Sequence, residues 1–233
     1  MRRRWERLTQ WPAVGTVRFG SLRRVTPISR QFGLDRGQSI DRYYIEAFLS
    51  GHAAEIRGHV LEIGDDYYTR KFGNGRVTRS DVLHLHSGNL KATLVADLTN
   101  AQHIPSNSFD CIIFTQTLQF IYDVRAALGH LHRILKPGGR LLVTVPGISQ
   151  ISRYDMDQWG DFWRFTSLST RCLFEESFSG GNVTVQAYGN VLAAIAFLEG
   201  LAQHELNQKE LDQRDPDYEL LIVVRAVKAG EAL

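Results

Sequence analysis

HVLEIGDDYYTRKFG, residues 59–73, is the stretch on which the fold turns. Its first six residues read as a strand buried on both faces, with an acid, Glu62, two places before a glycine, Gly64, at the exit. An acid followed by a glycine at a strand exit marks the place where an open α/β sheet meets a nucleotide-type cofactor. The continuation is unusual, because Asp65, Asp66, Tyr67 and Tyr68 stand where further glycines would let a backbone approach a ligand closely. A pyrophosphate depends on that approach and on a free helix N-terminus, and two aspartates repel it. A ligand carrying a cation tolerates them.

Outward from this strand, β and α patterns alternate. Strands are expected at 76–83, 92–98, 110–116 and 140–146, and two more, 182–189 and 219–228, close the chain around a helical insertion. Ser39 or Asp41 caps a helix running past Phe48. A second helix starts after Asp123, with Val124, Ala127, Leu128, Leu131, Ile134 and Leu135 at helical spacing, and ends at the LKPGG turn. The succession predicts an α/β fold of Rossmann-like, doubly wound type: a mostly parallel seven-stranded sheet, an antiparallel edge, and helices on both faces.

At 233 residues the chain reads as one domain, residues 39–233, preceded by an irregular basic arm, residues 1–38. Up to Arg42 there are ten arginines and three acids, a balance of +7 in a chain whose total is +2. Such an arm either contacts phosphate, anionic lipid or an acidic partner, or packs over the domain; its interleaved Trp5, Trp11, Phe19 and Phe32 favour packing. Two widely spaced cysteines, Cys111 and Cys172, form neither a disulfide framework nor a zinc spacing, and point to a reducing, cytoplasmic location. The most apolar helical stretch, 191–202, is far short of the roughly 20 residues that span a bilayer.

Ligands of open α/β sheets bind beyond the carboxyl ends of the strands, so the exits carry the chemistry. They are Glu62 and Gly64, then Asp81 with Val82, then Asp97 with Leu98, then Thr115 with Gln116. An acid about 20 residues past the first loop is suited to the two hydroxyls of a ribose. The order VLEIG, SDVL, VADLTNAQHIPSNSFDCIIFTQ and LKPGGRLLVTVPG, over about residues 59–147, resembles the class I S-adenosylmethionine-dependent methyltransferases, particularly those acting on small molecules and glycans. DFWRFTSLSTRCLFEESF (161–178) is similar to the WRFT segment of methyltransferases of glycan pathways. The resemblance implies S-adenosylmethionine as cofactor. Glu62 and Gly64 would lie at its methionine end, Asp81 on the ribose, and Val82, Asp97 and Leu98 around the adenine. Thr115 and Gln116 would lie beneath the sulfonium. Where the family often has Glu-His, this chain has Gln119-Phe120.

The acceptor is expected to be a hydroxyl on a sugar or another small molecule. Positioning then does most of the catalysis, and a base must take the hydroxyl proton. The segment 147–163 offers Tyr154, Asp155, Asp157 and Asp161, and Asp161 is the expected base. Trp159 and Trp163 can stack on a ring. No metal is expected: the D-x-D-x-x-x-D spacing reads as a solvated, helix-capping loop, and His84 and His86 as loop residues. Two alternatives stand beside this reading. One is a catalytically silent partner protein, suggested by the altered first loop. The other is an RNA-directed enzyme using the arginine arm; it is disfavoured because TQTLQF lacks the Pro-Pro-aromatic motif of amine-methylating nucleic-acid enzymes.

Overall fold

The computed structural model describes residues 11–178 and 182–230. Seven strands, β1 Gly58–Ile63, β2 Val77–His84, β3 Leu94–Val95, β4 Phe109–Thr115, β5 Leu135–Pro146, β6 Val183–Tyr188 and β7 Leu221–Val227, form one sheet. Their order is β3-β2-β1-β4-β5-β7-β6. The first five run parallel; β7 inserts between β5 and β6 and is antiparallel to both. This is the expected mostly parallel sheet with its antiparallel end. The chain steps outward from β1 through β2 to β3, then restarts at β4 on the other side of β1. The crevice therefore opens at the carboxyl ends of β1 and β4.

Two cores follow from the period of a strand. In β4, Ile112 and Phe114 face one side, where they meet helices α3 (Val124–Ile134) and α5 (Ser167–Ser177). Cys111 and Ile113 face the other, against α1 (Ile40–Gly51), α2 (Tyr67–Gly73) and α6 (Val191–Glu199). Helix α3 starts as its sequence requires, with Asp123 accepting from the Ala126 amide at 3.0 Å. Two short helices, α4 (Arg153–Gln158) and α7 (Gln208–Asp212), complete the regular elements used below.

Two boundaries differ from the sequence reading. The LKPGG segment belongs to β5, because Gly138 donates to Lys228 O and Lys228 donates to Gly139 O at 2.9 and 3.0 Å. Gly138 takes φ +74°, which lets the strand pass through this irregularity. β3 shrinks to two residues, since Thr93 turns its hydroxyl to Asp81 and Asp97 caps its own turn. The arm is also partly built into the body: Ile28 and Ser29 donate to Glu199 O, and Arg36 pairs with Glu205. Cys111 is fully buried, whereas Cys172 is exposed on α5. Among the described residues no helix is long and apolar enough to cross a membrane.

Candidate functional site

A cleft of about 690 Å³ lies at the switch point, within the usual range of roughly 300–1,000 Å³ for small-molecule sites. Glu62 and Gly64 from β1, Asp97 and Leu98 after β3, and Thr115 and Gln116 from β4 all line it.

The first loop explains its own sequence. Glu62 is 2% exposed and its two carboxylate oxygens accept from the Tyr68 and Thr69 amides at 3.0 and 2.7 Å. These are the orphan N–H groups at the start of α2. The helix end that would hold a pyrophosphate is thus already filled by a carboxylate of this chain. Burial pushes the Glu62 carboxyl up to about 7, against the pull of those amides. Gly64 turns at φ +82° into open space, a conformation that suits a residue without Cβ. Asp66 swings onto Arg70 at 3.0 Å, and Asp65 remains on the cleft wall. Tyr68 walls the cleft, with its hydroxyl accepting from Arg42 Nη1 at 2.7 Å. Arg42 was not anticipated from sequence, since it comes from α1, twenty residues before the motif it serves. It places a guanidinium among carboxylates on the cleft wall.

Asp81 and Val82 are not part of this cleft, which corrects the expected ribose site. Asp81 pairs with Leu61 in mid-ladder and is 5% exposed. Its oxygens accept from His59 Nε2 at 2.5 Å and Thr93 Oγ1 at 2.7 Å, with Arg79 at 3.1 Å. Burial works to raise its pKa, but these partners outweigh it and hold the carboxyl below its ordinary value. At the true exit of β2 stand His84 and His86, whose rings lie 5.7 and 5.5 Å from that of Trp159. The carboxylate that remains available to a ribose or an adenine amine is Asp97, where Oδ1 holds the Thr99 amide and hydroxyl, each at 2.8 Å.

Asp161 does line the cleft, but its carboxylate is committed to a neighbouring side chain. Its side chain is 2% exposed and forms a two-pronged pair with Arg164, at 2.6 and 2.9 Å, while accepting from the Ser152 amide. A carboxylate that already accepts three hydrogen bonds, two of them from a guanidinium, is held as the anion and is a weak acceptor for a substrate proton. The WRFT quartet is a strap. Trp163 Nε1 donates to Ile121 O, Arg164 gathers the Ser149 and Gln150 carbonyls, Phe165 is buried, and Thr166 caps α5. Asp155, from the same segment, does line the cleft; its Oδ1 accepts from Trp159 Nε1 at 3.3 Å. At the mouth, Tyr122 stacks on Trp163 at 5.8 Å and meets Phe162 edge-on at 5.5 Å. Gln116 takes φ +46°, a strained conformation for a non-glycine residue, at the exit of β4.

Residues 63–143 match the family described as Methyltransferase domain. Over that stretch, about a third of the chain, the sequence is that of a methyltransferase domain. Among curated relatives, the ubiquinone/menaquinone biosynthesis C-methyltransferase UbiE of Haemophilus ducreyi is 48% identical over 46 residues, 19% of this chain and 18% of that protein. The UbiE of Enterobacter sp. is 34% identical over 88 residues, 33% of this chain and 35% of that one. The chain thus matches about a fifth to a third of those relatives' lengths. Among solved structures, a SAM-dependent methyltransferase from Archaeoglobus fulgidus superposes with TM-score 0.53 at 12% identity, over 80% of this chain and 94% of that one. One from Mesorhizobium loti gives 0.53 at 19% identity, over 84% and 100%. The chemistry of the lining fits S-adenosylmethionine: a loop closed to phosphate, with carboxylates and the Arg42 guanidinium together on the cleft wall.

Two outcomes follow. Asp81→Ala strands His59 in the interior and lowers unfolding stability by about 3 kcal/mol, read from urea titration, while S-adenosylmethionine affinity of the folded variant stays at the wild-type value. Glu62, raised in the folded state, favours folding most below its unfolded pKa of about 4.5 and loses that contribution as pH rises through about 7. Glu62→Gln should therefore flatten the fall in urea midpoint between pH about 5 and about 8 relative to wild type.

Proposed function

We propose that this domain methylates a hydroxyl of a small ring-bearing acceptor, a sugar or a phenol. The observation that carries the reading is the aromatic cluster of Tyr122, Phe162 and Trp163, of which Tyr122 and Phe162 line the cleft together with Thr115 and Gln116. Stacked aromatic rings offer a flat apolar face to one side of a ring and leave its hydroxyls free to turn inward. When bound, S-adenosylmethionine supplies an activated methyl group; the protein's task is then to orient the acceptor and take its proton.

Within that task Arg42 holds the cofactor's carboxylate, with Glu62 behind the loop keeping Gly64 in place. Asp97 takes the nucleoside hydroxyls or amine. Asp155 replaces Asp161 as the base: it comes from the same loop, and only one of its oxygens is engaged, by Trp159. His84, His86 and Trp159 close over the nucleoside side of the cleft. A second reading shares this mouth. The UbiE relatives are named as C-methyltransferases of quinone biosynthesis, and a phenolic ring stacked on Tyr122 could receive the methyl on carbon after the same deprotonation. A catalytically silent partner and an RNA-directed enzyme are the remaining alternatives.

Calorimetric titration tests the cofactor half. Wild type should bind S-adenosylmethionine and S-adenosylhomocysteine with micromolar Kd, and Arg42→Ala should bind about 10- to 100-fold more weakly, the worth of a charge-assisted hydrogen bond. Absence of heat from a folded wild-type protein would leave only the fold. Labelled-methyl transfer to a panel of sugars and phenols tests the rest: Asp155→Asn should lower turnover by about 10²- to 10⁴-fold with cofactor affinity unchanged, and the position of the label separates oxygen from carbon transfer.

A further inference from the structure

Helix α6 presents an apolar ridge to solvent. Val191, Leu192, Ile195 and Leu198 are between 40% and 46% exposed and share one side of the helix. The opposite side, Ala193, Ala194, Ala196 and Phe197, is buried. The ridge does not stand alone. The arm is fastened to the carboxyl end of the helix, where Ile28 and Ser29 donate to Glu199 O at 2.8 and 3.0 Å. Gly200 makes the approach possible, since a Cβ there would stand 2.2 Å from Ser29 O. Val25, fully exposed, lines a shallow hollow with Ile195 and Leu198, and Arg24 borders it.

From Trp11 to Leu34 the arm carries four arginines, Arg18, Arg23, Arg24 and Arg30, and no acid. All four are exposed, as are Trp11 and Phe19. The acids of residues 210–215 lie at the other end of the helix, where Asn190 bonds the Glu210 and Gln213 carbonyls. The acid of α6 itself, Glu199, has its Oε2 buried.

We infer that α6 and the arm form a docking surface for an anionic membrane. A ridge of aliphatic side chains bordered by Arg24, on an arm whose Arg18, Arg23, Arg30, Trp11 and Phe19 are also exposed, matches the lipid interface, where apolar groups enter the acyl boundary and cations meet the headgroups. A second copy is a poorer occupant: a two-fold pairing through the ridge sets each patch against itself and brings the two arginine arms together. The arm reaches the cleft from the buried side of the helix. Phe32 of the arm packs on Phe197 of the helix at 5.8 Å, and both line the cleft wall.

The test is co-sedimentation of the full chain with phosphatidylcholine vesicles and with vesicles that also contain phosphatidylserine, at low and high salt. Wild type should partition at least about tenfold more strongly onto the anionic vesicles, less so at high salt. Leu192→Gln/Ile195→Gln and Arg23→Glu/Arg24→Glu, each verified as folded by circular dichroism, should each lose about tenfold in partitioning. Equal partitioning of wild type on both vesicle types overturns the proposal. So does a Leu192→Gln/Ile195→Gln variant that binds like wild type, which would make the arm a general polyanion site. A wild-type dimer that this variant dissolves, with no vesicle binding, would assign the ridge to a second copy.

Discussion

The carboxylate of Glu62 on the amides of Tyr68 and Thr69 is the contact on which the cleft depends. β1 is an inner strand of the sheet, between β2 and β4, and its exit must pass from the ladder into α2 without leaving that helix's first N–H groups unpaired. Glu62 does this from inside the core. It fixes the height at which Gly64 crosses the strand ends, and it sets Tyr68 on the cleft wall within reach of Arg42. Burying an acid is unfavourable, and the raised Glu62 pKa records it. In exchange the loop needs no run of glycines, because no ligand has to reach the helix end.

The framework was legible in the sequence because it rests on short-range patterns. CIIF splits its side chains between two cores by strand alternation alone, and Asp123 caps α3 by local spacing. The exits of β1 and β4 follow from the same patterns, and their residues line the cleft. What escaped was decided by distant partners. Asp81 looked available until His59, on the neighbouring strand, turned its ring onto it. LKPGG looked like a turn because its partner, Lys228, lies ninety residues further on. Asp161 is the exception: Arg164 follows it by three residues, and the D-x-x-R spacing was a signal that a carboxylate so placed has a companion.

The WRFT segment shows how a motif can be recognisable for reasons other than contact with substrate. Each of its four side chains ties a different piece of chain: the turn after β4, the loop after β5, the core and the start of α5. It positions the acceptor mouth without supplying its chemistry. Arg164 of the strap lines the cleft as well, and Tyr122, Phe162 and Asp155, which line it beside the strap, lie in less distinctive surroundings.

The two cysteines divide the chain's sulfur chemistry cleanly. Burial drives the Cys111 thiol far up from its ordinary pKa, inside the fourth strand, while Cys172 sits open on the outer surface of α5. Only the thiolate reacts, and only where a reagent can reach it. A maleimide dye added to the folded native chain therefore attaches at one place, on the helix that the WRFT strap begins. The molecule carries its own attachment point for a fluorescent reporter, away from the cofactor cleft, and no residue has to be changed to use it.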